Sequence, residues 1–255
     1  MSARHKKARG DPSMNRTFTQ EQLLTRWEAR REIQNIMGKV SQSYVMMEEA
    51  QIYERFWSGR DDVCLGVNEG WYSGKDAVKG YYDALGEKIR LASDIIAKAF
   101  PEKLSGKSPE ELYGVGQQGI KPIDTFIIEI AGDGQTAKGI WSLHGTYADM
   151  TPSGPVSKWD WGYWCVDFVC EDGAWKIWHM QDLKDIESPT GGDWTAEPLT
   201  YPEEPDFAAM KDFVFPEPNV KAVLRERYYV GRPFTETPTL PEPYDTFAET
   251  FSYGM

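Results

Sequence analysis

Two Asp-Gly pairs, Asp133-Gly134 and Asp172-Gly173, each sit between long runs of β-branched and aromatic residues. Asp-Gly tolerates the positive φ angles of a tight two-residue turn, so it is the strongest short-range signal for an antiparallel hairpin. The runs are Ile123 to Ile130, Thr136 to Tyr147, Trp159 to Cys170 and Trp175 to Asp182. A chain carrying this block has to build a sheet of long strands, and what precedes the block has to cover one face of it. The preceding residues are helical in period. Thr19 and Gln22 form a capping box, and Leu23, Leu24, Trp27, Ile33, Ile36, Met37, Val40 and Tyr44 recur at helical spacing. Glu48 to Trp57 reads as a short helix, Val63 to Tyr72 as a strand, and Ala77 to Leu91 as a third helix. Helices followed by a meander predict an α+β domain in which a curved antiparallel sheet wraps around the N-terminal helices.

From Thr195 onward the composition shifts. Nine of the 16 prolines lie between Pro198 and Pro243, interleaved with Phe213, Phe215, Tyr228, Tyr244, Phe247 and other rings. Such a stretch predicts an extended arm that lays its rings on its own domain or on a partner subunit. The expected organisation is a disordered basic tail over 1–16, an α+β domain over 17–195 and a C-terminal extension over 196–255.

Charge excludes one class of partner. The chain has 28 Lys+Arg against 40 Asp+Glu, a formal net charge of -12, whereas phosphate backbones require a cationic face. The basic cluster Arg4, Lys6, Lys7 and Arg9 reads as a solvated start. No run approaches the roughly 20 apolar residues of a membrane helix, and no apolar leader follows the basic cluster, so the expected location is the cytoplasm. Three cysteines, Cys64, Cys165 and Cys170, form neither a disulfide framework nor a metal site by spacing. Gly114 to Gly119 matches G-x-G-x-x-G but leads into a strand, so it reads as a loop and not a dinucleotide site. Glu48-Glu49 and the Asp182/Asp185/Glu187 cluster match no Ca²⁺ loop and read as solvated faces.

The segment from Gly132-Asp133-Gly134 to Trp141, the Trp159-Asp160-Trp161-Gly162 run, and the stretch from Val166-Asp167-Phe168 through Trp175-Lys176-Ile177-Trp178-His179 together resemble the SnoaL-like branch of the nuclear transport factor two-like superfamily. Glu32 to Gly38 and Gly74 to Tyr82 fit the same pattern, and the Pro-Glu-Pro-Tyr ending at Tyr244 resembles a long-chain bacterial subgroup. The resemblance covers about residues 20 to 195. It implies a cone-shaped, cystatin-like α+β barrel with an apolar pocket, commonly paired into homodimers or higher homo-oligomers. It also implies cofactor-independent proton chemistry, as in dehydratases, isomerases, cyclases and lyases.

Strand alternation orients the candidate site residues. With Lys176 facing water, Trp175, Ile177, His179 and Gln181 point inward and Trp178, Met180 and Asp182 outward. With Asp167 outward, Asp160, Gly162, Trp164, Val166 and Phe168 point inward. With Lys138 outward, Trp141, Leu143, Gly145 and Tyr147 point inward and His144 lies on the convex side, unless a bulge near Gly145 reverses it. His179 is the first choice for acid–base work because imidazole titrates near neutrality. A buried Asp160 would have a raised pKa and act as an alternative base. Tyr44 or His144 would assist a departing oxygen. Trp141, Trp161, Trp164, Tyr53, Tyr147 and Gln181 would line a wall suited to flat ligands. Two departures from the family pattern stand out: no Asp or His lies between Val40 and Val45, and Lys121 and Asp124 are the nearest polar groups where a histidine is usual.

Together with these residues, the resemblance implies a cofactor-free lyase or dehydratase acting on a hydrophobic aromatic small molecule. The most specific substrate that the resemblance and the tryptophan-rich interior suggest is a lignin-derived diarylpropane losing formaldehyde. An isomerase or a polyketide- or steroid-type cyclase using the same pocket is the alternative, and a non-catalytic binding or interaction module is the rival class. No metal site, nucleic acid or membrane partner is implied.

Overall fold

The computed structural model describes residues 17–151, 154–195, 213–233 and 238–248. The basic start at 1–16 and the proline-rich stretch at 196–212 lie outside the described residues, and with them the expectation for the N-terminal tail.

Helix α1 (Gln20–Val45) begins at Thr19, whose side chain accepts from the Gln22 amide while the Gln22 side chain accepts from the Thr19 amide. Its C-terminal half buries Ile33, Ile36, Met37, Val40 and Tyr44. The expected apolar stripe breaks down in the N-terminal half, where Leu23, Leu24 and Trp27 are more than half exposed. That half is held by polar straps instead: Arg26 donates to the carbonyls of Ile130 and Ala131 at 2.7 Å each, and Arg30 donates to Ile128.

A 3-10 turn over Glu49–Gln51 leads into the short helix α2 (Ile52–Phe56). The stretch read as one strand is a hairpin, β1 (Cys64–Val67) and β2 (Gly70–Ser73). Helix α3 (Lys75–Ala99) is longer than predicted and buries Val78, Tyr82, Ile89 and Ile96. Two single-turn helices, α4 (Pro101–Leu104) and α5 (Pro109–Leu112), lead to β3 (Gln117–Ile120).

The long strands are β4 (Ile123–Ile130), β5 (Thr136–Thr151), β6 (Gly154–Glu171) and β7 (Ala174–Pro189). Both Asp-Gly pairs occupy hairpin turns, with Gly134 and Gly173 at positive φ. The sheet runs β3-β5-β6-β7-β1-β2-β8, with β4 also on β5 and β8 (Val220–Lys221) at the far edge. It is mixed and not purely antiparallel, because β1 pairs parallel with β7. The fold is therefore α+β, an open curved sheet packed on its N-terminal helices with an extended C-terminal arm.

The core lies between the concave face and the helices. It includes Trp141, Leu143, Trp164, Val166, Phe168, Ile177 and Met180 from the strands, against Ile33, Met37 and Tyr82. Each large apolar side chain buried there contributes about 1.5–3 kcal/mol.

Two bulges on β7 control what faces that concave side. Asp167 pairs with His179 and Phe168 with Ile177, so Trp178 is an extra residue; Trp161 pairs with Ile186 and Gly162 with Lys184, so Asp185 is a second. An extra residue inverts the alternation beyond it. Met180 and Asp182, expected outside, point in, whereas His179 and Gln181, expected inside, point out.

The arm packs on its own domain. Residues 213–233 run along β2 and the end of β7: Tyr72 Oη donates to the Pro216 carbonyl at 2.8 Å, and the Leu224 amide donates to the Asn68 carbonyl at 2.8 Å. Residues 238–248 cross the convex face, where the Gly132 and Asp133 amides donate to the Tyr244 and Asp245 carbonyls. No helix among the described residues is long and apolar enough to cross a membrane.

Candidate functional site

A cavity of about 230 Å³ opens between the concave end of the sheet, the C-terminal end of α1 and helix α3. Its wall brings together Tyr44, Glu49, Lys121, Tyr147, Asp160 and Asp182, with Lys184 beside them. Three of these, Tyr44, Tyr147 and Asp160, are among the site residues expected from sequence.

Each side chain arrives through local structure. Lys121 occupies the link between β3 and β4, where its carbonyl accepts a hydrogen bond from the buried Ser41 hydroxyl of α1. Asp160 sits opposite Gly145 on β5; a Cβ at Gly145 would lie 2.7 Å from the Asp160 carbonyl, so the glycine permits the close approach. Asp182 and Lys184 face the cavity because of the Trp178 bulge. Glu49 is held by packing of its 3-10 turn on α3, where Gly86 leaves room for Ala50: a Cβ on Gly86 would come within 2.6 Å of the Ala50 Cβ.

Four charges interlock at the cavity floor. Lys184 Nζ lies 2.6 Å from Asp160 Oδ1 and 2.9 Å from Asp182 Oδ1, while Lys121 Nζ lies 3.3 Å from Asp160 Oδ2 and 3.5 Å from Asp182 Oδ2. Lys121 also stands over the Tyr44 ring, 4.3 Å from its centroid, and 5.3 Å from that of Tyr147. Two cations against two carboxylates compensate one another, which makes burial tolerable.

The titration behaviour follows. Burial opposes the Asp160 carboxylate, but Lys184 and Lys121 outweigh it and hold its pKa below the ordinary value. That is the reverse of the sequence expectation, so Asp160 is an ion-pair member with little tendency to take a proton. Burial likewise opposes charge on Lys121, and Asp182, Tyr147 and Asp160 more than restore it, so the ammonium is firmly protonated. Burial raises the Tyr44 and Tyr147 phenols, against the pull of Lys121, and keeps both in the donor form.

Glu49 differs from the other carboxylates. It is 5% exposed, and its Oε2 has no hydrogen-bond partner among the described residues. Burial pushes its pKa up to about 7, with its own backbone amide and Lys121 as the weaker opposing influences. The reading of Glu48-Glu49 as a solvated face is corrected for Glu49. The Asp182/Asp185/Glu187 cluster is not a solvated face either: Asp185 is gripped by Arg225 and Arg232, and Glu187 by Arg227 and Lys158.

The other expected residues lie elsewhere. His179 is buried on the convex face, its Nδ1 3.0 Å from Asp167 Oδ2, stacked on Trp178 and beneath Phe247 of the arm. The Trp178 bulge is what turns it away from the cavity. Gln181 lies buried on that outer side, in register with Cys165. His144 is exposed on the convex face, 3.5 Å from Asp124 and edge-on to Trp161, which is itself 37% exposed. Trp141 and Trp164 belong to the core, and Tyr53 packs against Trp57, so none of the three lines the cavity. Gln117, Gln118 and Gly119, the end of the dismissed glycine motif, do line it. Among the described residues no three His, Cys, Asp or Glu side chains cluster as metal ligands.

No family model matches the chain, and no curated protein matches it. Solved structures that resemble it include a hexachlorocyclohexane dehydrochlorinase, LinA-type3, from Novosphingobium barchaimii, at 15% identity and a TM-score of 0.43 over 69% of this chain and 99% of that one. Another is a putative scytalone dehydratase from Novosphingobium aromaticivorans, at 13% identity and a TM-score of 0.41 over 71% and 96%. A third is an ntf2-like protein with a cystatin-like fold from the same species, at 12% identity and a TM-score of 0.40 over 66% and 92%. Similarity at this level assigns no activity and no residue roles to this chain.

Proposed function

We propose that the chain is a cofactor-independent lyase of the dehydratase type, with Glu49 as the proton-transferring group. The observation that carries this reading is the Glu49 carboxyl itself: buried at the cavity wall, unpartnered at Oε2 and poised near neutrality. A general base works best when its pKa lies close to the operating pH. A buried carboxylate that gave only stability would be paired, as Asp160 and Asp182 are.

The reaction uses side chains already present. Glu49 takes a proton from a carbon next to a carbonyl, and the electron pair forms the new double bond as the neighbouring carbon–oxygen bond breaks. Tyr147, a phenol kept protonated beside Lys121, gives its proton to the departing hydroxyl, which leaves as water. The proton on Glu49 returns to the Tyr147 oxygen and both groups are restored. Lys121 stabilises negative charge as it develops on oxygen, and Tyr44 donates a hydrogen bond at the same wall.

The cavity narrows the substrate. Pockets for drug-sized ligands run to roughly 300–1,000 Å³, so about 230 Å³ takes one ring and not two. The wall is strongly charged and tyrosine-lined, which favours a ring bearing carbonyl and hydroxyl oxygens.

The test is turnover of a panel of hydroxylated cyclic ketones. Glu49→Gln is expected to lower kcat by about 10²–10⁴-fold while ligand affinity is retained. The kcat/KM profile should rise with pH through an apparent pKa near 7. Saturable binding without turnover across the panel would overturn the reading and leave a binding module.

A further inference from the structure

We propose that arm residues 213–233 build a second ligand subsite, continuous with the Glu49 cavity, which takes an aromatic ring carrying hydroxyl or ether oxygens. The inference rests on the reading of the inner cavity as a small-molecule site and extends it to a two-part ligand.

A second cavity, of about 390 Å³, lies directly outside the first. It is a cleft open to solvent between α3, the end of β7 and the arm. The two cavities share Tyr81, Leu85 and Lys88 of α3 and Asp182, Lys184 and Glu187 of β7. These six residues form a throat between helix and strand, through which a ligand seated at Glu49 can extend.

Rings form the far wall of the outer chamber. Tyr72 and Tyr81 lie 4.9 Å apart at their centroids, and Phe215 of the arm meets Tyr81 edge-on at 5.3 Å. Aromatic faces and edges at these separations accept a further ring in the offset and perpendicular arrangements that such pairs prefer.

The polar side of the chamber is charge-compensated. Arg227, also from the arm, lies 2.8 Å from Glu187 and 3.0 Å from Glu69, and Lys184 is held by Asp160 and Asp182. The lining as a whole sets three cations, Lys88, Lys184 and Arg227, against three carboxylates, Glu69, Asp182 and Glu187, and such a balanced wall matches neutral oxygen substituents better than a carboxylate.

Contacts within the fold fix the arm in place. Asn219 exchanges hydrogen bonds with the backbone of Ser73, β8 pairs with β2, and Arg225 grips Asp185 at 2.7 Å. The subsite is therefore preformed, which limits the ordering cost of binding.

Calorimetric titration of the full chain with benzyl alcohol as a one-ring probe and hydrobenzoin as a two-ring probe tests this. Hydrobenzoin is expected to bind at least about tenfold more tightly than benzyl alcohol. Phe215→Trp, which narrows the outer chamber, should reduce that advantage and leave benzyl alcohol binding unchanged. Phe215→Ala, which removes the wall, should reduce the advantage several-fold, and melting temperatures verify that both variants fold. Equal affinities for the two probes in the wild type, or an advantage untouched by Phe215→Trp, would overturn the subsite. Because the readout is binding, a Phe215-dependent advantage without any turnover would preserve the subsite while removing the acid–base reading.

Discussion

Lys184 Nζ lies 2.6 Å from Asp160 Oδ1 inside the fold, and the pair is closed into a four-member ring of charges by Asp182 and Lys121. Buried ion pairs of this kind add little net stability when complete, yet breaking one leaves an uncompensated buried charge. Lys121→Met is therefore expected to cost about 3–5 kcal/mol, measured by urea unfolding. A loss below about 0.5 kcal/mol, the scale of a neutral surface change, would show that Lys184 alone satisfies both carboxylates.

Glu49 and Asp160 give opposite pH signatures. The folded-state pKa of Glu49 is raised to about 7, so its contribution is present below the unfolded value and is lost as pH rises through 7. Asp160 is depressed, so its contribution is present above the unfolded value and is lost as pH falls through its folded one. Between pH 4.5 and 7.5 the wild type should lose stability relative to Glu49→Gln by on the order of 3 kcal/mol. Parallel stability curves for the two proteins would contradict this.

Much of this was legible from sequence, and the failures on β7 share one cause. The hairpins follow from Asp-Gly turn chemistry, Tyr44 from the helical stripe of α1, and the inward row Trp141, Leu143, Trp164, Val166 and Phe168 with the cavity residues Tyr147 and Asp160 from period-two alternation on β5 and β6. On β7 the same rule fails, because the extra residues Trp178 and Asp185 each shift the alternation, and nothing in the local composition marks a bulge. Glu49 was missed for another reason. Two adjacent glutamates near a helix end ordinarily face water; Gly86, 37 positions later, makes the seat for Ala50 that carries Glu49 inside. A small residue on the buried face of α3 was the available signal.

His179→Ala tests the placement of the imidazole. The ring is tied to Asp167 and covered by Phe247, so its loss should lower the melting temperature and speed proteolysis within the arm at 238–248. Ligand affinity in the cavity should stay within twofold of wild type. A large loss of affinity with an unchanged melting temperature would place His179 in the site after all.

Glycines in this chain divide by the space around them. A Cβ at Gly162 would lie 1.8 Å from the Leu183 carbonyl at the Asp185 bulge, whereas Gly80 on α3 has nothing within 4 Å. Gly162→Ala should destabilise by more than about 2 kcal/mol through backbone displacement. Gly80→Ala should stabilise by about 0.4–1 kcal/mol, because alanine loses less conformational freedom on helix formation. Thermal unfolding of the two variants separates these outcomes, and equal effects would contradict the close strand approach at the bulge.

The protonation of Glu49 is the point on which the proposed chemistry turns. Carbon-13 NMR of side-chain carboxyl-labelled glutamate, compared between wild type and Glu49→Gln, reads it directly. The expected result is a carboxyl resonance titrating near pH 7 in the wild type and missing from the variant. If instead the resonance lost in Glu49→Gln titrates near the ordinary value of about 4.3, Glu49 is a solvated carboxylate and the acid–base reading of the cavity is wrong.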